Sequence, residues 1–326
     1  MTWSPELHGI LLCSVTPSDH VDLNVQVGAL RLRNPIIAAS GTFGYGVEFA
    51  HLVDLGKLGG FVTKGLSLEP IEGAPAPRLC ETASGMLNAV GLQNVGVREF
   101  IQSKLPLLLK YNTPVIANVF GCCLEEYVEV IGRLEDAEGI SAYELNISCP
   151  NVKRGGMQFG SDPILVAEVV GAAKKAAPRR PLWVKLMPLV TDIRLIARAA
   201  ESAGADSLTV ANTYPAMAID FRTGRSRLGN LMGGLSGPAI KPITLKLVWE
   251  VREAVRVPIL GLGGIETAED VLEYMVAGAS AVQVGTASFT DPRTSEEIVG
   301  QLPTTLKTAN ASSFSEIKDK RHKETS

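Results

Sequence analysis

The stretch VPILGLGGIETAEDVLEYMVAGASAVQVGTA, residues 257–287, contains one complete repeat of a simple pattern. Two short apolar runs flank an amphipathic segment, which opens at Thr267 with two acidic residues behind it, as helices commonly do. Strands that are apolar along their whole length are typical of a parallel sheet covered by helices on both faces. The stretch therefore predicts a strand, a helix and a second parallel strand, with glycines after each strand.

The same alternation extends over most of the chain and decides the predicted fold class. Apolar runs predict strands at 35–40, 60–64, 114–120, 142–148, 181–187, 206–212, 257–263 and 281–287. Amphipathic segments predict helices at 124–136, 162–177, 191–203, 240–255 and 267–277. Eight such units favour an α/β fold of the closed (β/α)8 TIM-barrel type. A doubly wound open sheet is the alternative.

Length and composition agree with one large core. The chain has 326 residues, of which 46% are hydrophobic and only 20% charged, against about 25% charged in an average soluble protein. Disorder as the main state is therefore excluded. The net charge of −3 argues against nucleic-acid binding, and no apolar run approaches the ~18 residues of a membrane span.

Cysteine usage points to a reducing compartment. The five cysteines are odd in number and form no C-x-x-C pair. A disulfide framework is therefore not expected, and the cytoplasm is the predicted location. No metal site is expected, and an iron–sulfur cluster held by this chain alone is excluded, because it needs about four well-placed ligands.

Three segments differ in pattern. Residues 1–23 form an N-terminal extension, residues 24–307 the predicted barrel, and residues 308–326 a polar tail that we expect to be disordered. The connections 65–113 and 213–239 are too long for ordinary loops. Because long ordered connections are usually functional, they predict insertions at the C-terminal face that act as lids or binding loops.

Polar residues or glycines follow every predicted strand. The active site of a TIM barrel lies at the carboxyl ends of its strands, so these residues are expected to share one site. In chain order they are Ser40, Lys64, Asn118, Asn146 with Cys149, Lys185, Asn212, Gly263 with Gly264, and Gly285 with Thr286.

The loops after the last two strands predict a phosphate site. Glycines let backbone N–H groups approach an anion closely, and a helix N-terminus favours negative charge. Gly263 and Gly264 precede one predicted helix, and Gly285 with Thr286 precedes another. Tight turns without a ligand are the alternative, but the loops after strands seven and eight are the recurrent phosphate site of such barrels.

Lys64 and Lys185 lie inside apolar runs, where an unpaired charge is costly. The only acidic residue near these strand ends is Glu144, so a structural ion pair is the weaker interpretation. Either lysine could form a Schiff base, as in aldolases, or could stabilise negative charge on a cofactor ring.

Asparagines favour the second of these interpretations. A set of uncharged donors and acceptors around one barrel mouth suits a planar heterocycle such as a pyrimidine or a flavin. The asparagines concerned are Asn88, Asn118, Asn146, Asn151 and Asn212.

The candidate base is Cys149. The four histidines lie away from the predicted strand ends, whereas Cys149 follows the fourth strand in NISCPN. The glycine-containing loop 152–160 beyond it predicts a lid. An inert buried cysteine is the alternative, and Cys122 and Cys123 are interpreted in that way.

Six motifs stand out along roughly residues 24–300: TKG at 63–65, LNAVGLQN at 87–94, NISCPNV at 146–152, NLMGGLSGPAIKP at 230–242, GLGGI at 261–265 and QVGTA at 283–287. These motifs resemble those of the class 1 dihydroorotate dehydrogenases and occur in that family's order. NISCPN carries the cysteine base of class 1, and the second and fourth motifs are most similar to the class 1B branch.

The resemblance implies a flavoprotein that binds FMN and oxidises (S)-dihydroorotate to orotate in pyrimidine (UMP) biosynthesis, with Cys149 taking the C5 proton. The implied substrate contacts are Lys64, Asn88, Gly91, Leu92, Asn146, Asn212 and Thr213. The implied FMN contacts are Ser40, Lys64, Gly65, Asn118, Asn146, Lys185, Ala211, Gly237, Gly263, Gly264, Gly285 and Thr286.

The class 1B resemblance also implies a partner. Such enzymes pass electrons to NAD through a second subunit that carries FAD and a [2Fe–2S] cluster, and a homodimer of catalytic subunits forms the core of a heterotetramer. A class 1A-like homodimer that reduces fumarate is the first alternative. A Schiff-base aldolase and a phosphate-binding barrel without catalysis are the others.

Overall fold

The eight apolar runs pair in chain order into one closed barrel of parallel strands, in a computed structural model that describes residues 21–148, 150–151 and 157–321. The strands are β1 (Ile36–Ala38), β2 (Gly60–Val62), β3 (Val115–Val119), β4 (Ala142–Asn146), β5 (Leu182–Lys185), β6 (Ser207–Val210), β7 (Ile259–Leu262) and β8 (Ala281–Val284). β8 pairs with β1 and closes the ring. The TIM-barrel prediction is confirmed, and the open sheet is wrong.

Helices surround the barrel and bury one face against it. In chain order they are α1 (Gly96–Glu99), α2 (Leu105–Leu108), α3 (Leu124–Glu135), α4 (Pro163–Ala176), α5 (Ile193–Ser202), α6 (Lys241–Ala254), α7 (Ala268–Ala277), α8 (Ala287–Thr290), α9 (Thr294–Thr308) and α10 (Phe314–Asp319). The predicted start of α7 is a capping box between Thr267 and Asp270. Asp162 caps α4 by accepting from the N–H groups of Ile164 and Leu165.

The two long connections meet above the barrel. Strands Leu79–Thr82 and Gly85–Asn88 come from the first connection, and Tyr214–Ala216 and Gly233–Ser236 come from the second. They form one four-stranded antiparallel sheet, in which Gly85–Asn88 pairs with Gly233–Ser236. The predicted insertions are therefore a shared structure that covers the carboxyl ends of the strands.

The opposite end of the barrel is covered by a short hairpin, Val25–Val27 paired with Leu30–Leu32. Gly28 makes its turn at a φ of +58° and lies beside the start of β6. Val27 and Leu32 are fully buried. Residues 1–20, most of the predicted extension, lie outside the described part of the chain.

The prediction of a disordered tail is wrong over residues 308–321, the part of the tail that the structure describes. Helix α10 is capped by Ser313 and buries Phe314 and Ile317. Beyond it, the Arg321 guanidinium lies 4.0 Å from the ring centroid of Trp249. The polar composition concealed two apolar residues three positions apart, which fall on the same face of a helical turn.

No helix in the described part of the chain combines the length and apolar character that a membrane crossing requires.

Candidate active site at the barrel mouth

A cavity of about 580 Å³ opens at the carboxyl ends of the barrel strands, beneath the four-stranded sheet. That volume is within the range of pockets that enclose cofactor-sized ligands. Seventeen residues singled out from the sequence line it: Ser40, Lys64, Gly65, Asn88, Gly91, Leu92, Asn118, Asn146, Lys185, Ala211, Asn212, Thr213, Gly237, Gly263, Gly264, Gly285 and Thr286. The structure thus brings together every predicted site residue that it describes.

Cys149, the predicted base, lies outside the described residues, as do residues 152–156 of the predicted lid. On either side of this gap, Pro150–Asn151 pairs antiparallel with Met157–Gln158. The Asn151 side chain is likewise outside the described part. Ser148, directly before Cys149, lines the cavity and accepts a hydrogen bond from the Asn212 amide at 3.0 Å.

The loop after β7 requires glycine at two positions. Gly263 and Gly264 have φ values of +153° and +66°. A Cβ on Gly264 would lie 2.8 Å from the carbonyl oxygen of Gly237, and one on Gly263 would lie 2.8 Å from Thr244 Oγ1. The backbone therefore approaches closely from two loops and leaves a narrow, side-chain-free wall, as a phosphate cradle needs.

A tyrosine beneath the barrel mouth supports this loop. The Tyr274 hydroxyl donates to the carbonyl oxygen of Gly263 at 2.6 Å. Burial raises the pKa of Tyr274, so the hydroxyl stays protonated and remains a donor. The sequence alone did not single out Tyr274, because a tyrosine within an amphipathic helix is normally a core residue.

The loop after β8 is less constrained. A Cβ on Gly285 would meet no atom closer than 3.5 Å, the Cβ of Ala39. Thr286 is the N-cap residue directly before the four-residue helix α8. The glycine argument from the sequence therefore holds strictly for the loop after β7 and only loosely for the loop after β8.

The two cavity lysines differ in their surroundings. Lys185 Nζ lies 3.8 Å from Glu144 Oε1, and both side chains are buried. The ion pair that the sequence made the weaker interpretation is therefore present for Lys185. Glu144 precedes Asn146 by two residues on β4, so both side chains lie on the same face of the strand. That spacing was the available sign of the pairing.

Lys64 has no carboxylate within ion-pair distance among the described residues. Burial and, to a smaller extent, the positive charge of Arg78 lower the pKa of Lys64. An ammonium group in this position is stabilised by an anion that enters the cavity. Lys64 is therefore suited to bind an acidic ligand.

The loop that carries Asn88, Gly91 and Leu92 is held by Asn94. Leu92 has a φ of +57°, uncommon for a residue with a side chain. Buried Asn94 donates to the Leu92 carbonyl at 2.9 Å and accepts from Gly96 N at 2.8 Å. Backbone outliers of this kind cluster at ligand sites.

Comparison with known proteins supplies the family. A family model described as dihydroorotate dehydrogenase matches residues 22–306. The dihydroorotate dehydrogenase B (NAD(+)) catalytic subunit of Pelobacter propionicus is 56% identical over 277 residues, which are 85% of this chain and 91% of that protein. Its counterpart in Trichlorobacter lovleyi is 57% identical over 276 residues, 85% of this chain and 90% of that protein.

A third relative carries a different name. A protein of Solibacter usitatus named putative dihydroorotate dehydrogenase A (fumarate) is 57% identical over 280 residues, 86% of this chain and 92% of that protein. Identity alone does not separate the two names, since the values differ by a single percentage point.

Proposed function

The chain belongs to the dihydroorotate dehydrogenase family, and we propose that it is the catalytic subunit of the NAD-linked type, oxidising (S)-dihydroorotate to orotate in pyrimidine biosynthesis. It is thus an oxidoreductase that acts on a carbon–carbon single bond. The observation that carries the proposal is the single cavity that all seventeen described site residues line. Family membership favours this oxidation over the aldolase and over the non-catalytic barrel.

The cavity fits FMN, the cofactor of this family. The side-chain-free wall at Gly263 and Gly264 suits its phosphate, and the buried Lys185 and Asn118 suit the polar edge of its ring. FMN supplies a hydride acceptor when bound. The remaining proposed cofactor contacts are Ser40, Lys64, Gly65, Asn146, Ala211, Gly237, Gly285 and Thr286.

The protein groups hold the substrate and move one proton. Lys64, which lacks a carboxylate partner in the described part of the chain, would pair with the dihydroorotate carboxylate. Cys149 would take the C5 proton, since a thiolate is an effective base near neutral pH. The other proposed substrate contacts are Asn88, Gly91, Leu92, Asn146, Asn212 and Thr213.

The acceptor and the partner follow from the named relatives. A protein called a catalytic subunit has at least one partner subunit. We propose that this partner carries FAD and a [2Fe–2S] cluster, that it passes the electrons to NAD, and that two catalytic subunits form the core of a heterotetramer. We also propose a cytoplasmic location, since the five cysteines are scattered and do not suggest a disulfide framework.

The visible spectrum of the purified chain tests the proposal. A bound flavin that dihydroorotate bleaches under anaerobic conditions is the expected result, and a colourless protein would contradict it. Reoxidation by fumarate and by NAD is then compared with and without a partner subunit. We expect neither to reoxidise the isolated chain rapidly. Rapid turnover with fumarate alone would instead favour the type named for the Solibacter relative.

A further inference from the structure

The carboxylate of Glu144 lies under the cavity floor, and the proposed reaction leaves it without a role. Glu144 is fully buried on β4, inside the barrel. It does not line the cavity itself. A buried carboxylate is costly unless charges and hydrogen bonds offset its lost hydration, so its contacts decide what it does.

One oxygen of Glu144 contacts two residues that do line the cavity. Oε1 accepts a hydrogen bond from Asn118 Nδ2 at 2.8 Å and lies 3.8 Å from Lys185 Nζ. Asn118 and Lys185 come from β3 and β5, the two neighbours of β4. Glu144 therefore links the polar groups of three adjacent strands at the cavity floor.

The other oxygen, Oε2, is held by donors on two further strands of the barrel. Oε2 accepts from Thr209 Oγ1 at 2.9 Å and from Gln283 Nε2 at 2.5 Å. Both donors are buried, on β6 and β8. With three hydrogen-bond donors and one cation around it, the carboxylate has little freedom to move, and it transmits that rigidity to Asn118 and Lys185.

We propose that Glu144 is a positioning residue, which holds Lys185 and Asn118 against the cofactor ring and whose negative charge partly offsets the Lys185 charge there. This inference rests on the proposed function. Since reduction adds negative charge to the ring, a nearby cation favours it and a nearby anion opposes it. Glu144 therefore makes the bound flavin harder to reduce than Lys185 alone would.

The substitution Glu144→Gln removes the charge and keeps the shape. Oε1 of Gln283 is buried and has no hydrogen-bond partner in the described structure. If the Gln283 amide turns over, this oxygen can accept from the new amide group while Asn118 keeps its acceptor. The turn places the Gln283 NH2 group where its oxygen had no partner, so Glu144→Gln removes the charge at some cost in hydrogen bonding, and Glu144→Asp is measured beside it.

The measurement is the midpoint potential of bound flavin in wild type and Glu144→Gln, by equilibration with a reference dye. We expect the oxidised–reduced equilibrium to move at least tenfold toward the reduced form, about 30 mV for two electrons. The matched control is Glu135→Gln, since Glu135 is also buried and paired with arginine, but at the other end of the barrel. Its potential should equal that of wild type.

Glu144→Asp separates position from charge. It keeps the charge but is one methylene shorter. We therefore expect an oxidised–reduced equilibrium constant of the bound flavin within threefold of the wild-type value, and a raised Kd for FMN. The proposal is overturned if Glu144→Gln binds FMN with a wild-type potential, or, where that variant does not fold, if Glu144→Asp matches wild type in FMN affinity. A wild-type chain that binds no FMN would overturn the proposed function as well, and so the two failures are distinguishable.

Discussion

The two ends of the barrel each bury a glutamate beside a cation, but they use it differently. At the amino ends of the strands, Arg180 donates to the carbonyl oxygens of Leu134, Ala137 and Ile140, so the guanidinium is occupied by the protein itself. At the carboxyl ends, Lys185 pairs with Glu144 and still faces a cavity. At the amino ends, backbone carbonyl oxygens satisfy the arginine donors. At the carboxyl ends, polar side chains remain available for a ligand.

Stability and chemistry are therefore separated along the barrel axis, as is general for the fold. Substitutions at the carboxyl ends should change ligand binding and turnover with small costs in stability. Substitutions at the amino ends should do the reverse. Four single substitutions test this separation.

Cys149→Ser should have the largest effect. We expect the rate of flavin reduction by dihydroorotate to fall by about 10²–10⁴-fold near pH 7, the range for loss of a general base. Serine is a far weaker base than cysteine at that pH. Stopped-flow bleaching measures the rate, and the flavin content of the variant should remain that of wild type. Reduction at the wild-type rate would remove Cys149 from the mechanism.

Arg180→Met, at the amino ends of the strands, should lower the stability of the protein. The variant loses the donor to four carbonyl oxygens and to Tyr143 Oη, and the Glu135 carboxylate keeps its ion pair with the exposed Arg179. We expect a loss of about 3–5 kcal/mol in the free energy of unfolding. Denaturant unfolding of the flavin-free protein measures it. The KM for dihydroorotate should not change, and a raised KM would contradict the separation of the two ends.

Lys64→Met should weaken the binding of dihydroorotate and stabilise the flavin-free protein. Loss of a charge-assisted hydrogen bond of about 1.5–3 kcal/mol predicts a KM for dihydroorotate raised about 10- to 100-fold. Because no carboxylate pairs with Lys64 in the described structure, removal of its charge should also stabilise the flavin-free protein by about 1 kcal/mol. Steady-state kinetics and denaturant unfolding give the two values.

The stabilisation of the flavin-free protein by Lys64→Met should depend on pH in a defined direction. The pKa of Lys64 is lowered in the folded state from 10.5, its ordinary value. The unfolded chain therefore binds the proton more tightly, and wild type gains stability as pH rises through the lowered pKa toward 10.5. The advantage of Lys64→Met should be full below the lowered pKa and should be lost as pH rises above 10.5. In the control Lys174→Met, loss of the 2.6 Å pair with Asp206 should destabilise the protein instead.

Tyr274→Phe should have the smallest effect. It removes the 2.6 Å hydrogen bond to the Gly263 carbonyl and leaves the ring in place. A loss of about 1 kcal/mol predicts a roughly fivefold rise in the Kd for FMN. Riboflavin, which has no phosphate, should bind equally to wild type and variant, and an equal loss for both ligands would argue against a phosphate at this loop.

Much of the fold and of the site was predictable from short-range pattern. Ser40, Asn118, Lys185 and Asn212 could be assigned to one mouth, because parallel strands in a barrel end at the same face. The glycines at 263 and 264 could be assigned to a close backbone approach, since side chains would fill it. These inferences need only the order of elements along the chain.

Other features depended on contacts between segments far apart in sequence. The pairing of Gly85–Asn88 with Gly233–Ser236 joins two connections that each resemble an isolated loop. The docking of α10 required a surface on the barrel helices that composition does not reveal. Tyr274 was missed because its hydroxyl reaches a carbonyl eleven residues away across a strand–helix unit.

The barrel, the end at which the site lies and the residue types available there can be inferred from hydrophobic period and strand order, which are properties of the chain itself. Which of the two lysines has an ion-pair partner depends on the three-dimensional fold. Glu144 and Lys185 come within 3.8 Å because their strands, β4 and β5, pair side by side, whereas Lys64 keeps an unpaired charge in the described structure. Charge balance in a buried site depends on distances across the fold. The spacing of Glu144 and Asn146 indicates a shared strand face but gives no distance to Lys185.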